Sequence, residues 1–288
     1  MVIYNYTLRL SILGDNEYIL VCTWGLYHLS DNETLSTPLY SSNEIDIFSH
    51  EIANIISYPN LSSKGYLDRL NEISSFGVTH FLPGGRTRIG KIIIAGKGCV
   101  SIVLKVRTKD KICALKIRRT DANRYSMERE SYLHKIANSA DVGPQLFQYS
   151  KNLITMEFVD GLSLIDWIRN DDITADEARN LAESILEQCY RLDVEQIDHG
   201  QLSCLNHHII VSNDNNTAKV IDFESSSTIR KPSNVTTAAQ SLFLSGGISF
   251  RMNQLVKVIR KEKIIPLLKT YKRNPSRINF DNIMNIFC

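Results

Sequence analysis

An α+β fold is predicted, as a small N-terminal unit followed by a larger domain, and three observations predict it. Residues 2–13 alternate, with Tyr4, Tyr6, Leu8, Leu10 and Ile12 set against Asn5, Thr7, Arg9 and Ser11. From residue 86 onward three apolar strand segments come in succession. Beyond Thr174 the apolar residues return at helical spacing, as Ala178, Leu181, Ala182, Ile185, Leu186 and Cys189. Alternation marks a half-buried strand, and the helical repeat marks a helix with one core-facing stripe.

The N-terminal unit spans 1–82. Its first strand turns at Gly14-Asp15-Asn16-Glu17 into a second, Tyr18–Thr23. Ile45, Phe48, Ile52, Ile55 and Ile56 follow helical spacing, and a second helix carries Tyr66, Leu67, Leu70, Ile73 and Phe76. Gly77 is placed to end that helix, and Pro83-Gly84-Gly85 marks the turn out of the unit. The unit has no recognisable chemistry and is expected to be separable from the larger domain.

The domain 83–288 opens with strands Arg88–Ala95, Ile102–Arg107 and Ile112–Ile117, the last two joined by Thr108-Lys109-Asp110-Lys111. A helix over Arg124–Ala137 comes next, then strands Gln145–Tyr149 and Leu153–Phe158. The long helix begins at a capping box, Thr174 as N-cap with Glu177 three residues on. Strands His208–Val211 and Lys219–Ile221 flank the turn Ser212–Thr217.

A formal charge of +2 gives the whole chain no electrostatic case for nucleic acid. The longest apolar stretch, YILVCTWGLYHL at 18–29, is too short and too polar for a bilayer, and the start lacks a secretory pattern. A cytoplasmic protein with no membrane partner is expected. Cys22, Cys99, Cys113, Cys189, Cys204 and Cys288 form no C-x-x-C pair, so reduced and mostly buried thiols are expected.

Four signals carry chemistry, and their order is informative. Gly96-Lys97-Gly98-Cys99-Val100-Ser101-Ile102-Val103 lies between two strands, where small residues let backbone N–H groups close over phosphates; taken alone it equally describes a hairpin turn. Cys113-Ala114-Leu115-Lys116 ends an apolar strand in an ammonium, fit for a cleft beside phosphates or for snorkelling at an edge. An acid on the next helix must pair with it. Glu130 is favoured over Glu128, because Leu133 and Ala137 share its face and Glu128 is turned about 200° away. The third signal is His199-Gly200-Gln201-Leu202-Ser203-Cys204-Leu205-Asn206, and the fourth is Val220-Ile221-Asp222-Phe223-Glu224. A hairpin between them brings Asn206 and Asp222 together as an oxygen site suited to magnesium, although an aspartate there also suits a simple turn.

The run G-x-G-x-x-S-x-V, A-L-K, a helix glutamate, M-E-F-V-D-G, H-G-Q-L-x-x-x-N and I-D-F resembles the protein-kinase superfamily. It is most similar to compact RIO-type atypical kinases, especially predicted archaeal serine/threonine kinases of that kind. The resemblance covers about residues 86–245. It implies a bilobal protein-kinase-like fold with a shortened C-lobe, the N-lobe at about 86–158 and the C-lobe at about 159–288. It also implies ATP and Mg2+ as cofactors. Gly96, Gly98 and Ser101 would cover the phosphates, with Val103 and Ala114 in the nucleotide site. Lys116 would contact the phosphates and pair with Glu130. Met156 would back the adenine pocket, and the Glu157 and Phe158 backbone would bond the base. Asn206 and Asp222 would hold the metal, and His199 would pack near Phe223 as an architectural residue. His207 and His208, adjacent on the expected strand, would point to opposite faces.

Departures from that pattern shape the expectation. Gln201 stands at the catalytic aspartate position, Gly200 at the arginine before it, and Glu224 at the glycine after Asp-Phe; no A-P-E segment occurs. The implied activity is an attenuated, Mg-dependent serine/threonine kinase or RIO-like ATPase acting on a protein. Alternatives are a nucleotide-binding pseudokinase serving as switch or scaffold, and a small-molecule phosphotransferase of the aminoglycoside type. Asp198 is a substitute base in name, expected to point away. Between Arg251 and Arg277 there are nine Lys or Arg and one acid, Glu262, interleaved with Leu255, Val258 and Ile259. That stretch fits an amphipathic surface helix, or a contact for RNA or an acidic partner.

Overall fold

The computed structural model describes residues 8–12, 18–22, 44–60, 62–214, 217–256 and 261–286. The chain divides into two compact units, residues 1–40 and 41–288. In the first, β1 (Leu8–Ile12) and β2 (Tyr18–Cys22) form an antiparallel hairpin with Leu8 opposite Cys22 and Ile12 opposite Tyr18. The expected strand residues before Leu8, the turn at 14–17 and Thr23 lie outside the described residues.

The second unit is mixed α and β. It opens with β3 (Ile45–Asp46), a 3-10 turn, α1 (Ala53–Ile56) and α2 (Ser63–Ser75). The helix expected from Ile45 to Ile56 is thus split, because Ile45 pairs as a strand with Phe81. Gly77 does close α2, at φ +73. The next strand, β4 (Val78–Leu82), was not legible in the sequence. A bulge between Val78 and His80 puts its buried residues, Val78 and Phe81, three apart and so breaks the alternation.

Next come β5 (Thr87–Ile89), β6 (Ile92–Ile94), β7 (Gly96–Lys97), β8 (Ser101–Thr108) and β9 (Ile112–Arg118). The single strand expected over Arg88–Ala95 is a hairpin, because Gly90 at φ +58 reverses the chain. After α3 (Glu128–Ser139) the sheet is completed by β10 (Leu146–Tyr149) and β11 (Leu153–Glu157). Among the described residues the strands run in the order β10-β11-β9-β8-β4-β3, paired antiparallel, with β7 on β8. Helix α3 starts four residues later than expected, because the Arg124 carbonyl accepts from Arg118 Nη1 at 3.0 Å and the chain there is a loop.

One apolar core joins Ile47, Ile56, Leu70 and Phe81 to Leu104, Val106, Leu115 and Leu153. The boundary expected at 82/83 therefore falls inside a shared sheet and core; the structure draws its division near residue 40. Glu72 on α2 fastens the two parts further, accepting from Asn152 N at 3.1 Å and Asn152 Nδ2 at 2.9 Å.

A second core lies in the C-terminal half. There β12 (Gly161–Ser163) and α4 (Leu164–Trp167) lead to α5 (Ala175–Val194), whose capping box closes as expected, with Glu177 N on Thr174 Oγ1 at 3.2 Å and Thr174 N on Glu177 Oε2 at 2.9 Å. Such a cap contributes about 0.5–2 kcal/mol. The stripe Ala178 to Cys189 is buried throughout. A short α6 (Leu205–His208) precedes β13 (Ile209–Ser212) and β14 (Ala218–Val220), which form a three-stranded sheet with β12. Among the described residues the unit is completed by α7 (Asn234–Ala239), which runs on as a π-helical segment (Gln240–Leu244), and by α8 (Gly247–Val256), α9 (Lys261–Arg273) and α10 (Arg277–Met284). Val235, Met252, Tyr271 and Phe280 pack on α5 residues in this core. No helix among the described residues is long and apolar enough to cross a membrane.

Gly143 marks where α3 meets this core. Its φ is +81, and a Cβ would come within 2.9 Å of the Phe223 ring and 3.0 Å of the Val220 carbonyl. Gly143→Ala is expected to cost about 1–3 kcal/mol through strain and displacement of Phe223. Urea unfolding checks this; an unchanged midpoint would refute the close approach.

Candidate functional site

Lys116 sits on β9 at the centre of the sheet, opposite Val103 on one side and Ile154 on the other. Its side chain is buried, and its Nζ donates to Glu130 Oε1 at 2.6 Å and to Asp222 Oδ1 at 2.8 Å. Glu130, on the first turn of α3, is buried, whereas Glu128 is exposed and accepts from Ser126 Oγ at 3.3 Å. The helical-face argument thus selects the residue that pairs. Asp222 comes after β14 at φ 71, ψ 81, an uncommon left-handed backbone for a non-glycine residue. Strain of this kind gathers where the surrounding structure fixes a functional geometry.

One ammonium shared by two carboxylates sets the electrostatics. Burial alone would lower the Lys116 pKa, but the charges of Glu130 and Asp222 outweigh it and hold the ammonium above its ordinary value. Burial works to raise Asp222, yet Lys116 beside it takes the carboxyl down to about 2. For Glu130 burial prevails over the attraction of Lys116, and its pKa is raised.

Glu224, which the sequence marks only as a departure from a motif, completes a carboxylate group. Ligand oxygens of Glu130, Asp222 and Glu224 lie within 4.8 Å of one another. Arg124 holds Glu224 in place, its Nη1 donating to the Glu224 carbonyl at 2.6 Å and its Nη2 lying 3.4 Å from Oε1. Three carboxylates thus face the cations of Lys116 and Arg124, an excess of negative charge and oxygen donors that suits a hard divalent cation. Asn206, expected beside Asp222, is on α6, and its Nδ2 lies 3.1 Å from His207 Nε2. The hairpin brings both residues to one end, since Ile209 pairs with Val220 and Ile221 N donates to the His208 carbonyl at 2.9 Å. His207 and His208 end α6 rather than sharing a strand; His207 is exposed and His208 buried.

The loop 96–103 is a tight hairpin: Gly96 pairs with Val103, and Gly98 N donates to the Ser101 carbonyl at 2.8 Å. Neither Gly96 nor Gly98 takes a left-handed φ, and a Cβ would meet its nearest neighbour at an ordinary 4.0 Å and 3.5 Å respectively. The hairpin therefore does not itself demand glycine at either position. Arg119 ties the loop to the end of β9, through its N to the Val100 carbonyl at 2.8 Å and its Nη1 to the Gly98 carbonyl at 2.9 Å. Ser101 is buried at the start of β8.

Ala114 lies opposite Met156 and is buried. The Glu157 amide, expected to be open to a base, donates to the Gln145 carbonyl at 2.8 Å, and its carboxylate meets Lys219 at 3.3 Å. Phe158 comes just after the strand end, with Lys105 Nζ 4.3 Å from its ring centroid.

His199 is fully buried and packs edge-on to Phe223 at 5.5 Å, with Nε2 3.1 Å from the Ile221 carbonyl. Burial, aided by the neighbouring His208, lowers its pKa to about 4. His134 stacks on the Phe223 ring at 4.9 Å, and burial lowers it to about 4 as well. Gln201 opens the 3-10 turn before α6, and its Oε1 is buried with no hydrogen-bond partner among the described residues. Asp198 points away from it into an ion pair with Arg230, Oδ2 to Nε at 2.6 Å.

Elsewhere, Cys113 and Cys189 are buried as expected, but Cys99 at the loop tip and Cys204 are exposed. Helix α9 packs through Ile264, Leu268 and Tyr271, while Lys261, Lys263, Lys269, Lys272 and Arg273 face solvent without an ion pair among the described residues. Leu255 is partly buried against the C-terminal core, and Val258 and Ile259 lie outside the described residues. No protein-family model and no curated protein matches the chain.

Proposed function

We propose that this domain is a bilobal, protein-kinase-like module that binds ATP with magnesium and transfers phosphoryl groups slowly. The observation that carries the reading is the buried Lys116 ammonium shared by Glu130 and Asp222, two residues brought to it from α3 and from the end of β14. In this reading Lys116 binds phosphate oxygens, and Glu130 keeps its ammonium aimed. Asp222 and Glu224 hold the metal with Asn206 alongside, and the cation neutralises phosphate charge. Gly96 and Gly98 leave open the space that side chains would fill over the phosphates, which accounts for glycines the hairpin does not need. The base would lie near Met156 and Phe158, with Ala114 beneath it. Since the Glu157 amide is already bonded within the fold, Phe158 supplies the backbone donor.

Gln201 has a donor and an acceptor but no basicity, so it orients a hydroxyl or a water without taking its proton. Asp198 cannot replace it while engaged by Arg230. Phosphoryl transfer depends mainly on positioning and charge neutralisation, so slow hydrolysis or autophosphorylation with weak transfer to a protein hydroxyl is expected. The same glutamine supports a second reading, a nucleotide-binding pseudokinase. The exposed cations of α9 are a candidate surface for RNA or an acidic partner.

A fluorescent ATP analogue should bind wild type with magnesium, and Lys116→Ala and Asp222→Ala at least tenfold more weakly. Equal binding by all three sinks the nucleotide site. Turnover then separates the readings. A positioned base is worth about two to four orders of magnitude, so Gln201→Asp should raise protein phosphorylation at least tenfold. Wild-type turnover no higher than that of Asp222→Asn leaves the pseudokinase.

A further inference from the structure

The segment after Asp222 returns immediately to the loop that carries Gln201. Asp198 and Ser227 form a two-bond bridge, each N–H donating to the other's carbonyl at 2.9 Å. Ser227 Oγ then accepts from Ile229 N at 3.1 Å and Arg230 N at 3.2 Å, a turn that brings Arg230 back across the bridge. The Arg230 guanidinium donates to Asp198 Oδ2 from Nε at 2.6 Å, and from Nη2 to the Ser225 carbonyl at 2.6 Å and the Asp198 carbonyl at 3.4 Å. It lies directly over Gly200. A Cβ there would stand 2.5 Å from Nη2 and 2.8 Å from the Ser225 carbonyl, and Gly200 is at φ +83. Any other residue at 200 would be strained and would displace the guanidinium.

We propose that Arg230 is the positioning residue of the Gln201 loop: its guanidinium fixes the 198–200 backbone and so aims the Gln201 carboxamide. The proposal rests on the phosphotransferase reading, since aim matters only if Gln201 faces a reacting group. Two observations favour it. Gln201 Oε1 is buried with no hydrogen-bond partner among the described residues, so no hydrogen bond to that oxygen fixes the carboxamide, and its aim depends on the backbone that carries it. The Arg230 side chain is half exposed, at 49%, where an ion pair adds little stability, so its several aligned bonds act on geometry. Gly200 thereby gains a structural reason. It makes room for a cation supplied from thirty residues further along the chain.

The test uses full-length Arg230→Ala, Arg230→Lys and Gly200→Ala, measuring MgATP affinity, the rate of ATP hydrolysis, and amide hydrogen exchange at Asp198 and Ser227. Arg230→Ala is expected to lower kcat at least tenfold and keep the nucleotide Kd within twofold. Its exchange at both amides should accelerate at least tenfold, and added methylguanidinium should restore part of the rate. Gly200→Ala should act in the same direction, and Arg230→Lys should fall between. An unchanged kcat in Arg230→Ala overturns the proposal. So does a loss of affinity that matches the loss of rate, because that marks a general structural role. If wild type binds MgATP without turnover, the enzyme reading fails by itself; the clasp is then decided by exchange, and unchanged exchange in Arg230→Ala overturns it.

Discussion

Replacing Lys116 with methionine is expected to cost about 3–5 kcal/mol of folding stability, besides abolishing nucleotide binding. The ammonium is the shared partner of Glu130 and Asp222, and Glu130 is only 5% exposed. Without it a buried carboxylate must either stay charged in an apolar setting or take up a proton. The pH dependence comes from the second course. In the variant the folded-state pKa of Glu130 rises well above its unfolded value. Stability is then greatest below the unfolded value and declines as pH rises through the folded one. The deficit relative to wild type should therefore be larger at pH 8 than at pH 5. Urea titrations at the two values check this, and the double variant Lys116→Met, Glu130→Gln should recover part of the loss at pH 8. A deficit that is small and independent of pH would mean that Lys116 does not neutralise these carboxylates.

The two histidines that pack on Phe223, His134 and His199, give the second large effect. His134 and His199 have pKa values of about 4 in the folded protein against an ordinary 6.5, because burial penalises the imidazolium. Their folded values are depressed, so the unfolded chain binds more protons between pH 4 and 6.5. The stability they contribute is complete above about pH 6.5 and is lost as pH falls toward 4. That loss amounts to about 3 kcal/mol for each ring. Glu130 and Asp193, both raised by burial, act in the opposite sense over part of this range. The clean measurement is thus a difference between proteins. In His134→Gln and His199→Asn the fall in unfolding free energy between pH 6.5 and 4.5 should each be shallower than in wild type. Identical slopes would show that these rings charge freely in the native state.

The part of the fold that was legible in the sequence was local. The capping box at Thr174, the buried stripe of α5 and the choice of Glu130 over Glu128 all come from spacing along one helix, and the geometry agrees with each. The strands β8 and β9 were equally plain: β8 alternates buried Ile102, Leu104 and Val106 with partly buried Val103, Lys105 and Arg107, and β9 is buried from Cys113 to Ile117. Less was visible where the chain breaks its own period. The bulge in β4 hid a strand, and Gly90 cut one expected strand into two. Long-range polar pairing outside the motifs was invisible. Arg124 with Glu224 joins residues 100 positions apart, and Arg230 with Asp198 residues 32 apart, with no repeat to announce either. At the site, helical spacing selected Glu130 for Lys116 and the resemblance added Asp222, and the structure pairs both with Lys116, but neither marked Glu224, whose place depends on how the chain turns after Asp222.

The early strands of the second unit have a consequence for the order in which the chain can fold as it is made. A polypeptide leaves the ribosome from its N-terminus. Helix α2 and β4 emerge before β8, the second of the two strands that β4 pairs with, and Glu72 emerges some eighty residues before Asn152. Until β8 appears, β4 has an unpaired edge, and Ile47, Ile56, Leu70 and Phe81 lack the apolar face that later covers them. This stretch thus waits for partners made about 25 to 80 residues after it. A nascent chain stalled after β4 has emerged and before β8 has would present that sticky edge to chaperones or to its neighbours on the same messenger.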